Sequence, residues 1–234
     1  QPKIAPLPGS LHSAPYLDSW IGLAGTGDVP VFTGKSELGQ GIMTALLQCA
    51  AEELDIDPKV VTIVTADTER TANEGYTAGS HSMQDSGTAI LNAAAQVRAL
   101  LIAQAAGQLK VPAEQLTTRD GAVLGQNGIK AEFKDLVKGL NLHGRAQPAS
   151  PLKKPDQFTI IGKPLPRVDI PGKVTGQPAF VQDLRFDRML HARVVRPPNY
   201  HAQLVKLDAA PVEKLPGVVK VVRDGSFLAV AAQH

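Results

Sequence analysis

A short apolar strand that runs directly into a glycine-punctuated turn and then into an amphipathic helix constrains this chain more than any other feature. Val29–Phe32 (VPVF) reads as a buried strand, and Gly34–Thr44 (GKSELGQGIMT) is the turn. Ile42, Ala45, Leu46, Cys49, Ala50 and Leu54 then recur at helical spacing and mark one apolar face. Glycines flank Gln40 on both sides. Glycine admits positive φ and the close approach of another group, so Gly39-Gln40-Gly41 can present main-chain N–H groups and one amide side chain to a ligand. The unpaired N–H groups at a helix start also attract an anion. The competing reading is a tight turn with no ligand.

A second loop of similar kind follows. Val60–Thr65 (VVTIVT) is β-branched almost throughout and reads as a strand. Asp67–Ser82 (DTERTANEGYTAGSHS) is rich in small hydroxyl residues and glycine, and its last part leads into a long helix striped by Ile90, Ala94, Val97, Leu101 and Ala105. Ser82 and Asp85 have the spacing of a capping box. Two small-residue loops that each open a helix suit a group bearing two or more phosphates. Alternatively, Ser80 and Ser82 serve only as helix caps.

The rest of the chain reads as an α+β pattern. Gln1–Pro15 holds four prolines and is expected to be an extended arm, and Trp20–Leu23 a first strand turned back at Gly25–Asp28. Thr117–Leu124 reads as a hairpin about Asp120-Gly121, and Phe133–Leu140 as a short helix. Asn141–Gln157 has the composition of an interdomain linker. The domains are accordingly drawn as 1–150 and 151–234. Beyond the boundary, strands are expected at Met189–Val195, Leu204–Leu207, Val218–Val222 and Phe227–Ala231, with a short helix at Ala210–Leu215. The chain stops just after the last strand, so the second domain is expected to continue in a longer protein.

Charge and cysteine usage exclude several function classes. Lysine and arginine total 24 against 22 acids, scattered and without aromatic interleaving, so no nucleic-acid partner is expected. No apolar run reaches the ~20 residues of a transmembrane segment, and none is expected. The single cysteine, Cys49, rules out an internal disulfide framework and reads as a core residue. The six histidines show no paired ligand spacing, so no metal ligand is assigned. Gly34-Lys35-Ser36 fails as a Walker loop because Val29 stands where glycine is needed. Gly39–Thr44 approximates a dinucleotide fingerprint but carries threonine at its last position. Glu37, Glu52, Glu53 and Glu74 are candidate acids and bases among which spacing does not choose, and no catalytic residue is assigned.

Taken as words, GKSELGQGIMTALLQCAAEELDI and VVTIVTADTERTANEGYTAGSHSMQDSG resemble a molybdopterin-binding segment of the molybdenum hydroxylases related to xanthine dehydrogenase and aldehyde oxidase. IIGKPLPRVDIPGKVTGQPAFVQDLRFDRMLHARVVRPP and LPGVVKVV resemble the α/β hammerhead domain of the same enzymes. The order of the two segments is that of the large subunits of isoquinoline 1-oxidoreductase, nicotinate dehydrogenase and related bacterial aldehyde dehydrogenases. The loop Arg196–His201 departs from the commoner hammerhead wording.

The resemblance implies the N-terminal part of a molybdopterin-binding domain followed by a hammerhead. It places Gly39, Gln40 and Gly41 on the pterin, and Thr77, Gly79, Ser80, His81 and Ser82 on the pterin, pyrophosphate or nucleotide. It further implies molybdopterin cytosine dinucleotide as cofactor, and oxidative hydroxylation of an aldehyde or N-heteroaromatic substrate. The catalytic glutamate lies in a later part of the subunit, so this stretch alone is expected to be inactive. The implied partners are the remainder of the large subunit, a small subunit carrying iron–sulfur clusters, and a cytochrome c acceptor. The implied compartment is the periplasm, with the cytoplasm as alternative. A structural or assembly module, and a nucleotide-binding dehydrogenase domain, are the competing functional readings.

Overall fold

A computed structural model describes residues 5–234 of the chain. Its packing divides between Val174 and Thr175 into two compact units.

In the first unit, β1 (Val29–Thr33), α1 (Ile42–Leu54) and β2 (Val61–Thr65) form a parallel strand–helix–strand unit, in register from Val29 against Val61 to Thr33 against Thr65. Alternation along β1 buries Val29, Val31 and Thr33. Trp20–Gly22 pairs with β1 as a bridge rather than a full strand: the Phe32 N–H donates to the Trp20 carbonyl at 2.9 Å, and the Gly22 N–H to that of Pro30 at 2.8 Å. The stripe foreseen on α1 is buried apart from the half-buried Ala45, and Leu47, Ala51, Glu52 and Glu53 are buried too.

α2 (Thr88–Leu109) packs against α1, with Ile90, Ala94, Val97, Leu101 and Ala105 all fully enclosed. It is preceded by a π-turn, Met83–Gly87. Met83–Leu109 is long and apolar enough by composition to cross a membrane; 61% of its most apolar window is buried inside the protein, as in a core helix. The leading segment is not an extended arm over its described part. Gly9–His12 forms a helical turn with Leu11 fully buried, while Gln1–Ile4 lie outside the described residues.

β3 (Thr117–Arg119), β4 (Ala122–Leu124) and β5 (Lys130–Glu132) make an antiparallel sheet followed by α3 (Phe133–Leu136). The stretch 141–157, linker-like in composition, and 158–161 after it lie on this unit. Arg98 donates to the Pro151 carbonyl at 2.6 Å, and buried Glu52 accepts the N–H groups of Thr159, Ile160 and Ile161 at 2.6–2.9 Å. α4 (Ile170–Val174) closes the unit.

In the second unit, β6 (His191–Val194), α5 (Ala210–Glu213), β7 (Val218–Asp224) and β8 (Phe227–Ala232) form a small antiparallel sheet ordered β6-β8-β7. Leu204–Leu207 is not a strand and pairs with no neighbour in a sheet. Ala229 is the only buried residue described in this unit, and the other apolar side chains of these short strands are half-buried or exposed.

Candidate functional site

Gly34 lets the two unusual loops meet. A Cβ there would lie 2.1 Å from the Ala72 carbonyl oxygen, so any other residue would push the loops apart. Around this contact lies a buried polar hub. The Glu74 carboxylate accepts from the Gly34 N–H at 2.7 Å, the Thr33 hydroxyl at 2.9 Å and the Ser86 hydroxyl at 2.6 Å. Lys35, 2% exposed, donates to the Glu74 carbonyl at 2.9 Å and pairs with Asp85 at 3.0 Å. The Ser36 N–H donates to the Thr77 hydroxyl at 2.8 Å. A lysine is buried only when its charge and donors are matched, as they are here. The first loop, the second loop and the π-turn are thereby joined into one element.

The first loop folds onto its own carboxylate. Glu37 accepts the N–H groups of Gly39 at 2.8 Å, Gly41 at 2.9 Å and Met43 at 3.1 Å. The main-chain donors expected to face a ligand are therefore turned inward, because Glu37 stands as an internal anion at the α1 start. Burial alone would raise the Glu37 pKa; the donors from Gly41, Met43 and Gly39 outweigh it and hold the carboxyl below its ordinary value. Gln40 is exposed and braces the turn, its amide donating to the Ser36 carbonyl at 2.9 Å and accepting from the Leu38 N–H at 2.5 Å.

The end of the second loop leaves Gly79, Ser80 and His81 exposed and Ser82 half-buried. Gly79 and Ser80 both have positive φ, +65° and +60°, and the His81 ring lies over Gly79, where a Cβ would be 2.7 Å from the imidazole. The capping box does not form. Ser82 already has helical angles and makes no side-chain cap bond, while Asp85 is drawn to Lys35. Among the described residues, the Ser80 and Ser82 hydroxyls have no hydrogen-bond partner in the protein. A cleft of about 430 Å³ adjoins this loop, lined in part by Gly34, Thr71, Asn73 and Gly75. Neither this cleft nor another of about 330 Å³, lined by Leu23, Ile56 and Phe133 among others, is lined by any of the predicted site residues.

Gly39–Gly41 and Thr77–Ser82 thus belong to one stitched element, although no hydrogen bond joins Gln40 to Ser80 or Ser82 among the described residues. Lys35, Glu37, Glu74 and Ser86 were not foreseen in these roles. The signal in the sequence for Lys35, Glu37 and Glu74 is only that charged residues sit amid glycines. The other two candidate carboxylates are structural: Glu52 holds 159–161, and Glu53 pairs with Arg98 at 2.8 Å. Burial and Glu53 push the Cys49 thiol up to about 12, in keeping with a core residue. No group of three or more His, Cys, Asp or Glu side chains is placed to hold a metal ion among the described residues.

The first unit thus carries two stitched, glycine-bent loops at helix starts. Comparison with known proteins gives it a family. The family model described as "Molybdopterin cofactor-binding domain" matches residues 8–164. One of the subunits of nicotinate dehydrogenase from Pseudomonas putida is 40% identical over 226 residues, 93% of this chain and 19% of that protein. The beta subunit of isoquinoline 1-oxidoreductase from Brevundimonas diminuta is 28% identical over 243 residues, 87% of this chain and 31% of that protein. Reconstituted CO dehydrogenase from Oligotropha carboxidovorans is 25% identical with a TM-score of 0.48, over 54% of this chain and 17% of that one.

The chain belongs to the molybdopterin cofactor-binding domain family, within the xanthine oxidase family of molybdenum hydroxylase large subunits. It spans about a fifth of the first of these relatives and under a third of the second. The donor set fits such a cofactor: the second loop offers the Ser80 and Ser82 hydroxyls, which have no partner in the protein among the described residues, and the first offers an exposed carboxamide.

Proposed function

We propose that this chain supplies two cofactor-holding loops to a molybdenum hydroxylase and that the cofactor is molybdopterin cytosine dinucleotide. The observation that carries the reading is the Lys35–Glu74 hub, which fixes both loops in one element while leaving Gln40 and Ser80 exposed and Ser82 half-buried. Gln40 holds the pterin through its carboxamide, and Gly39 and Gly41 shape the turn that presents it. Ser80 and Ser82 donate their hydroxyls to phosphate oxygens. Thr77 is occupied by the Ser36 N–H and acts by position, as do Gly79 and the His81 ring that covers it. The cofactor, when bound, supplies the oxidative chemistry.

The whole protein then hydroxylates an aldehyde or an N-heteroaromatic substrate, with a hammerhead domain in 151–234 by resemblance. It works with the remainder of the large subunit, an iron–sulfur subunit and a cytochrome c acceptor in the periplasm. The relatives' names support a multi-subunit dehydrogenase of this kind. A dinucleotide-binding dehydrogenase shares the parallel β1–α1–β2 geometry, but needs a tight turn where Gly34–Gly41 intervenes.

The test is molybdenum and cytidine content of the full-length protein, unmodified and as Gln40→Ala and Ser80→Ala/Ser82→Ala. Both components are expected in equal amounts. Each variant is expected to lower them about tenfold, since a hydrogen bond to a charged group is worth ~1.5–3 kcal/mol. Neither serine caps a helix, so the melting temperature should hold. Full retention in both variants would overturn the site.

A further inference from the structure

The segment after the predicted boundary reaches back to the Gln40 loop through one side chain. The Arg167 guanidinium is oriented by a two-point bond to Asp169, from Nε at 3.0 Å and Nη2 at 2.7 Å. Its remaining arm, Nη1, donates to the Gly39 carbonyl at 2.8 Å, and Nη2 lies 3.5 Å from the Glu37 carboxylate. Asp169 is nearly buried and is gripped from its other side by Lys173 at 2.7 Å. The strand of chain is pinned where the Val168 N–H donates to the Thr44 hydroxyl at 3.0 Å, on the first turn of α1. Gly39 therefore has its N–H on Glu37 and its carbonyl on Arg167, so the peptides on both sides of Gly39 are held.

We propose that Arg167 is a positioning residue for the Gly39–Gly41 loop, holding it in the one conformation that presents the Gln40 carboxamide to the cofactor. This rests on the reading that Gln40 meets the cofactor. The geometry needs a planar fork: two donors serve Asp169 while a third reaches a carbonyl, which the single ammonium of lysine cannot reproduce. Glu37 gathers the loop's amides from within, and Arg167 adds a tie to the loop's outer peptide and a counter-charge to that carboxylate. Without Arg167, the glycines on either side of Gln40 regain their conformational freedom.

The experiment uses the full-length protein as Arg167→Ala and Arg167→Lys, with Gln40→Ala as reference. Amide hydrogen exchange over 37–43 is read beside molybdenum and cytidine content. Both Arg167 variants should speed exchange at Gly39, Gly41 and Met43 about tenfold, leave protection over 46–54 unchanged, and lose cofactor to the extent that Gln40→Ala does. Unchanged exchange over 37–43 overturns the proposal. So does rescue by lysine, which would reduce the role to charge. Cofactor retained in Arg167→Ala but lost in Gln40→Ala also overturns it. Cofactor retained in Gln40→Ala overturns instead the reading on which the proposal rests, while the exchange result still reports what Arg167 does to the loop.

Discussion

Glu37 occupies the place that an anionic ligand takes at a bare helix start, which changes what the Gly-Gln-Gly turn does. The turn is closed by its own groups: Glu37 gathers its amides, and the exposed Gln40 carboxamide braces Ser36 and Leu38. The folded pKa of Glu37 lies below its ordinary value. Its stabilising effect is therefore fully present above about pH 4.5, the unfolded glutamate value, and is lost as pH falls from there through the lowered folded value. Asp169, held down first by Arg167 and then by Lys173, works with the same sign from the aspartate range downward. Glu37→Gln keeps one carbonyl oxygen but sets an amide against the Met43 N–H. Melting at neutral pH should register a loss of about 1–3 kcal/mol. Melting from pH 6 to 3 should show the variant losing less with acidification than the unmodified protein; parallel profiles would remove Glu37 from the account.

At the scale of elements, the faces of α1 and α2 were legible because helical periodicity reports burial directly. Ile42, Leu46, Leu54, Ile90, Val97 and Leu101 are all enclosed as their spacing required. The capping box at Ser82 was not, because its acid had a stronger partner far away in sequence: Asp85 turns to the buried charge of Lys35. A local pattern cannot register that competition. The same limit applies to Glu37 and Glu52, whose partners are mostly main-chain N–H groups that leave no mark on residue type, and to Glu53 and Glu74, whose side-chain partners lie far away in sequence. The linker-like stretch 141–157 is likewise tied down by groups it meets only in space. Arg98 is the most exposed to test, since it joins α2 to Glu53 on α1 and to the Pro151 carbonyl. Burial is the first influence on Glu53 and raises its pKa despite Arg98, so the carboxylate is poorly placed to stand alone. Arg98→Leu should cost about 3–5 kcal/mol, the range for stranding one partner of a buried pair. Urea unfolding would measure it; a loss under about 1 kcal/mol, as for a surface pair, would contradict the burial argument.

Across the whole molecule, apolar burial is distributed very unevenly between the two units. Nearly all fully enclosed side chains lie before Val174, on β1, α1, β2 and α2 and the segments packed against them. After Thr175, Ala229 alone is buried, while Phe186, Val205 and Tyr200 are strongly exposed. Apolar burial contributes roughly 25 cal/mol per Å² and dominates folding stability, so local opening should be far easier in 175–234 than in the helical core. Sheet hydrogen bonds alone do not compensate, because water satisfies the same groups in the open state. Limited proteolysis of the chain as it stands, read by fragment masses, should therefore give first cuts within 175–234 while 42–109 stays intact. Leu101→Ala provides the converse. Removing that enclosed side chain should cost about 2–5 kcal/mol and bring cuts into 42–109 that the unmodified chain resists. If 175–234 instead resisted protease as long as α1 and α2 do, its sheet would owe its stability to something other than apolar burial, and the exposed Phe186, Tyr200 and Val205 would no longer mark it as the weaker unit.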